Sequence, residues 1–215
     1  MLKRIDSVAA FFFFKKKKII SFPFPFSTGV IGQQLPMEKL TPLIPDAAQT
    51  LSVEPGGADA SQAILTTDLV SKTCARRVQL ADGTSFTVGG IAKGSGMIHP
   101  NMATTLCFVT TDLRIAPPRL QQALSAAADA TFNCLTVDGD TSTNDMVGIM
   151  ANGESNVDEE NASDVFDVKI IWARRGKEIY FHILCFYDRH LVRRFGKCCD
   201  RWRELLRVTA KVPRA

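Results

Sequence analysis

Residues 89–112, GGIAKGSGMIHPNMATTLCFVTTD, restrict the fold more than any other part of the chain. Gly89, Gly90, Gly94 and Gly96 let the backbone turn where a side chain would clash. Pro100 forbids a helix through the His99-Pro100-Asn101 corner and restricts His99 as well. The segment then reaches Ala103-Thr104-Thr105 and an apolar run over 106–109, which reads as a short buried strand. A threonine set after a bend, at the mouth of a strand, is well sited for chemistry. A glycine-rich strand connection with no chemistry accounts for the same residues equally well.

The net charge of +4 conceals a division along the chain. Residues 1–18 carry six Lys or Arg against one acid, residues 19–160 seven against fifteen, and residues 161–215 thirteen against six. Those breaks suggest boundaries that divide the chain into three parts. The acidic middle argues against nucleic acid as a partner, because phosphate binding needs clustered Lys and Arg. The first apolar run, 8–14, is far too short to span a membrane. It has no persuasive cleavage site or import signal, and Phe11 to Phe14 followed by Lys15 to Lys18 reads as translated tract sequence. Of six cysteines, Cys107 and Cys134 sit among apolar residues and read as buried thiols of a reducing compartment. His182, Cys185, His190, Cys198 and Cys199 fit no familiar zinc spacing, so no metal is expected.

Within the central domain, residues 27–32 end a buried strand. Apolar positions over 35–51 keep helical period, interrupted by Pro42 and Pro45. Residues 54–60, EPGGADA, read as a loop, and 61–65 as one helical turn. Residues 73–80 and 84–91 about Asp82-Gly83 read as a hairpin, with Cys74, Val78 and Leu80 on one face. Pro117-Pro118 opens a helix whose inner face carries Leu120, Ala123, Leu124 and Ala127. Residues 133–137 read as a strand, and 145–151 as a helix capped from 141–143. Beyond that, 157–167 is an acidic loop, 168–173 a strand, 178–195 an apolar stretch with dispersed Arg, and 202–208 a helix.

Residues 93–104, KGSGMIHPNMAT, closely resemble the self-cleavage segment of the ornithine acetyltransferase family, the bifunctional glutamate N-acetyltransferases of arginine biosynthesis. Residues 27–32 (STGVIG) and 138–145 (DGDTSTND) resemble further segments of that family, in the same order. The resemblance covers about 27–153 as a central domain, and leaves 1–26 as a non-matching N-terminal segment and 154–215 as a non-matching basic tail. It implies an α/β fold, the αββα sandwich shared with N-terminal-nucleophile-like hydrolases, here incomplete.

A threonine hydroxyl is a weak nucleophile and needs a base beside it. Cutting the Ala103–Thr104 bond would supply one, because the freed α-amine of Thr104 has a reference pKa of about 7.7–8.0. The resemblance makes Thr104 the nucleophile that cuts this bond and then carries acetyl from N-acetylornithine to glutamate in ping-pong order. No cofactor is implied, although acetyl-CoA serves some eukaryotic relatives as donor. Thr28 and Gly29 match the oxyanion hole, and Thr66, Lys93 and Thr104 match substrate-binding positions, with Lys93 set to pair with a carboxylate. His99 is given a positional role. Asp138, Asp140 and Asp145 lack the EF-hand pattern and suit turns and caps. Thr105 departs from the Met or Leu usual there. The family's later substrate contacts, a Glu and a C-terminal Asn and Thr, have no match in this chain. Relatives assemble heterotetramers of two copies of each cleaved piece, and the eukaryotic ones work in the mitochondrial matrix. The rival readings are an N-terminal Thr amidase or aminopeptidase of similar fold, and an inert truncated fragment.

Overall fold

The computed structural model describes residues 8–12, 15–16, 19–20, 24–52, 55–99, 105–160, 162, 168–175 and 178–185. Its centre is a hairpin of β5 (Lys72–Gln79) and β6 (Ser85–Lys93). The turn forms because Gly83 takes φ +85° while Asp82 accepts the backbone N–H of Thr84 at 2.9 Å. Ahead of the hairpin come β1 (Val8–Phe12), the two-residue strands β2 (Lys15–Lys16) and β3 (Ile19–Ile20), and β4 (Phe24–Thr28). Strand β1 pairs antiparallel with β4, and β2 with β3.

Strand β7 (Leu106–Thr111) pairs antiparallel with β6, from Lys93 opposite Leu106 to Val88 opposite Thr111. Strand β8 (Met146–Ala151) pairs with β7 in parallel, and the sheet order is β5-β6-β7-β8. A parallel neighbour needs a long crossover, supplied by α4 (Pro117–Ala130) and a 3-10 turn over Phe132–Cys134. Helix α4 starts at paired prolines, whose missing N–H groups would have had no helical partner in any case.

Alternation along the strands builds the core. Phe86, Val88 and Ala92 of β6 and Cys107 and Val109 of β7 are buried with Val78, Leu80, Ile98, Leu113 and Phe132. Leu120 and Ala123 of α4 pack against this cluster. Burying side chains of this size stabilises by about 1.5–3 kcal/mol each.

Four local expectations are corrected. Residues 56–63, expected as loop and turn, form the helix α3 (Gly56–Ala63), which begins after Pro55. Within residues 145–151, expected as a helix, Met146–Ala151 form β8 instead, because pairing along β7 satisfies the backbone of Val147, Gly148 and Ile149. Residues 133–137 are a 3-10 turn followed by non-strand chain. Gly89 and Gly90 do not turn the backbone but lie inside the β6 ladder, opposite Ala75 and Cys74.

The proline-interrupted region forms α1 (Met37–Leu40) and α2 (Leu43–Gln49). Strands β9 (Val168–Arg175) and β10 (Glu178–Cys185) form a separate antiparallel pair, and β10 runs beside β5. The helix expected over 202–208 lies outside the described residues, as do His190, Cys198 and Cys199.

Candidate functional site

One end of the four-stranded sheet collects the starts of β5, β7 and β8 and the end of β6. Lys72, Lys93, Leu106 and Met146 therefore sit side by side there. Strand β4 is drawn to the same place by Phe26, whose ring meets Phe108 of β7 with centroids 5.4 Å apart and planes tilted 55°. Such aromatic pairs add about 0.5–1.5 kcal/mol beyond their buried area. Two residues further along β4, Thr28 is buried.

These elements enclose a pocket of about 340 Å³ lined by Thr28, Gly29, Thr66, Lys93, Ser95 and Met97, together with Thr67, Gly96 and Asp138. Thr28, Gly29, Thr66 and Lys93 are thereby brought together although three separate segments carry them. Ala103 and Thr104 lie outside the described residues. Thr105, next to Thr104 in sequence, is buried at the entrance to β7, one residue before the position paired with Lys93.

Lys93 is only 2% exposed, yet its ammonium reaches the pocket and donates to Thr66 Oγ1 at 3.0 Å. Burial pulls the Lys93 pKa below the ordinary lysine value. Asp68 opposes that shift, Lys72 adds to it, and Asp145 opposes it weakly. Beneath the pocket Asp68 and Lys72 form a buried ion pair, and Asp68 Oδ1 also accepts the N–H of Gly94 at 2.7 Å. Gly94 takes φ +147°, a conformation side chains rarely adopt, as the chain leaves β6.

Asp138 accepts the backbone N–H groups of Met97 at 2.6 Å and Ile98 at 3.0 Å. That support accompanies Met97 in a left-handed conformation, φ +52°. Desolvation by itself would raise the Asp138 pKa, but the N–H groups of Met97, Ile98 and Asp140 hold it below the ordinary value. Asp145 accepts the N–H of Thr105 at 2.8 Å. Burial pushes its carboxyl above the ordinary value, against the pull of that N–H, the Ser142 hydroxyl and the Lys93 charge.

The ArgJ family profile matches residues 5–171. This chain belongs to the ArgJ family. The match extends on both sides of 27–153, the span that the sequence motifs cover. An ArgJ protein of Synechococcus sp., "Arginine biosynthesis bifunctional protein ArgJ", is 59% identical over 129 residues, covering 60% of this chain and 31% of the relative. That of Symbiobacterium thermophilum is 57% identical over 127 residues, 59% of this chain and 31% of the relative. That of Wolinella succinogenes is 49% identical over 140 residues, 65% of this chain and 35% of the relative. The chain thus spans about a third of the length of the curated ArgJ relatives it matches.

Sequence reasoning passed over Asp68 and Lys72 of this ArgJ chain. The only signal available was an acid following Thr66-Thr67, four residues ahead of a lysine, and on a sequence that reads as an ordinary surface pair. Their burial is a tertiary fact. His99 is exposed and does not line the pocket; its Nδ1 lies 3.3 Å from Thr136 Oγ1. Cys107 is fully buried, and desolvation raises its thiol pKa far out of the reactive range.

Proposed function

We infer that this chain is the nucleophile-bearing portion of an ornithine acetyltransferase that moves acetyl from N-acetylornithine to glutamate in arginine biosynthesis. Membership of the ArgJ family supports the reading. The observation that carries it is the pocket joining Thr28, Gly29, Thr66 and Lys93 beside the start of the strand that follows Thr104. The fold of the complete protein is then the αββα sandwich, of which the four-stranded sheet is one layer.

In the first reaction Thr104 Oγ attacks the Ala103 carbonyl carbon. The C–N bond between them breaks, and the nitrogen takes up the hydroxyl proton and becomes the α-amine. Water then opens the ester, leaving a carboxylate on Ala103 and a free Thr104 hydroxyl. The α-amine now serves as base for the same hydroxyl. Attack on the acetyl carbonyl of N-acetylornithine forms the Thr104 ester and releases ornithine, whose amine carries away the proton. The amine of glutamate attacks that ester and returns a proton to Thr104 Oγ. Thr28 and Gly29 face the developing oxyanion, and one such donor is worth about 2.7–4 kcal/mol. The Lys93 ammonium, oriented by Thr66, holds the α-carboxylate common to both amino acids.

Mass spectrometry tests the first step. Pieces 1–103 and 104–215 are expected, and Thr104→Ala should leave one intact chain. Ornithine release that requires glutamate tests the second step in the complete protein carrying this sequence. An uncut protein, or one that only hydrolyses amides, contradicts the reading.

A further inference from the structure

The two ends of the 138–145 loop are bonded to Ile98 and to Thr105 at one common offset in sequence. Within the sheet, β7 and β8 pair in parallel with Leu106 opposite Met146, an offset of 40 kept as far as Thr111 opposite Ala151. The same offset persists outside the ladder. Thr105 donates its N–H to Asp145 Oδ1 at 2.8 Å, and its carbonyl accepts the N–H of Met146 at 2.8 Å. Ile98 donates its N–H to Asp138 Oδ1 at 3.0 Å, and its carbonyl accepts the N–H of Val137 at 2.7 Å. Each of these residues thus has both backbone groups taken up by an adjacent pair, 137–138 or 145–146, with an aspartate as acceptor in each case. Equal lengths of chain lie between the two anchor points on either side.

A turn-and-cap role accounts for one aspartate bonding to its own neighbours. It does not account for carboxylates 40 residues away gripping both ends of a single segment. We propose that Asp138 and Asp145 are positioning residues that anchor Ile98 and Thr105, which flank the Ala103–Thr104 bond in sequence, so that this bond is presented for self-cleavage. The proposal rests on the cleavage reading given above. Neither carboxylate takes a proton from the reacting atoms or forms a bond to them. Both act through backbone N–H groups, and Asp145 does so at the residue immediately after the nucleophile. Its anchor also survives the cut, because the N–H of Thr105 is unchanged when the preceding bond breaks.

The test compares self-cleavage rates of the 215-residue chain as wild type, Asp145→Ala, Asp145→Asn and Asp138→Ala, with folding followed by circular dichroism. Misplacing reacting atoms by about 1 Å can cost on the order of 10²-fold in rate, so Asp145→Ala, still folded, should cut that much more slowly. Asp145→Asn keeps an acceptor oxygen and should recover most of the rate, a rescue that general loss of stability does not predict. Folded Asp145→Ala cutting at the wild-type rate overturns the proposal, as does folded Asp145→Asn cutting no faster than the alanine variant. Should Asp145→Ala fail to fold, Ser142→Ala replaces it, since the Ser142 hydroxyl bonds the Asp145 carboxylate. Slowed cutting there supports the clamp, and unchanged cutting overturns it. A wild-type chain that stays intact refutes the cleavage reading instead. The clamp is then judged by hydrogen exchange: the Thr105 amide should be protected in wild type and lose protection in Asp145→Ala, and Ile98 likewise in Asp138→Ala. Equal exchange overturns it.

Discussion

Lys93 Nζ donates to Thr66 Oγ1 across 3.0 Å, joining residues 27 apart in the chain at the mouth of one pocket. The ammonium is desolvated by its surroundings but keeps a face toward that pocket. A charge held this way is available for an anionic group at little reorganisation cost.

Lys93→Met should therefore impair binding more than folding. A hydrogen bond to a charged group is worth about 1.5–3 kcal/mol, so under the proposed function KM for both N-acetylornithine and glutamate should rise roughly 10- to 100-fold. Stability should change little or improve, since a desolvated ammonium is removed. Steady-state kinetics and urea denaturation of the complete protein measure the two effects separately.

The Asp68–Lys72 pair makes the opposite prediction. Both side chains are almost fully buried, at 0% and 2% exposure. Asp68 Oδ2 is buried without a hydrogen-bond partner among the described residues. Lys72→Met leaves that carboxylate uncompensated and should cost about 3–5 kcal/mol, whereas Asp68→Leu with Lys72→Met together should cost far less. Urea midpoints of the single and double variants decide between the two outcomes.

Much of the sheet and of the pocket beside it was legible in the sequence. Asp82-Gly83 between alternating runs specified the hairpin, and the separated STGVIG and KGSG segments indicated residues that now line one pocket. Strand β8 was not legible, because MVGIMA is a short apolar run without alternation. Its neighbour lies in parallel, and such a run cannot be told from a buried helix by period. Helix α3 was hidden by its opening Gly56-Gly57, which reads as a turn. The roles of Asp138 and Asp145 were hidden for another reason. Both bond to backbone N–H groups 40 or more residues away, and no local pattern records that.

A change of pH in the acid range should act on those two aspartates in opposite senses. The folded-state pKa of Asp138 lies below 3.8, so its contribution to stability is present above that value and is lost as the pH falls through the folded pKa. Asp138→Asn should flatten the acid limb of a melting-temperature profile. The folded-state pKa of Asp145 lies above 3.8, so ionising it costs the folded state increasingly as the pH rises through the window just above 3.8. Asp145→Asn should therefore gain on wild type across that window. Calorimetry from about pH 3 to about pH 6 covers both windows.

Gly94→Ala isolates the strand exit. With φ at +147° an alanine is strained whatever the space around it, and the cost should exceed about 1 kcal/mol. The same change disturbs the N–H that Asp68 accepts, so a lowered urea midpoint should be accompanied, under the proposed role of Lys93, by weaker substrate binding.

The β6–β7 ladder, from Lys93 opposite Leu106 to Val88 opposite Thr111, straddles the Ala103–Thr104 bond. Under the proposed cleavage, hydrogen bonds and interdigitated side chains would be what joins the two products, and they should co-migrate until a denaturant parts them. Reassembly then ceases to be a folding problem of one chain and becomes an encounter between two. The mature molecule would inherit a dependence on concentration that its precursor never had, and dilution after unfolding would trap it apart.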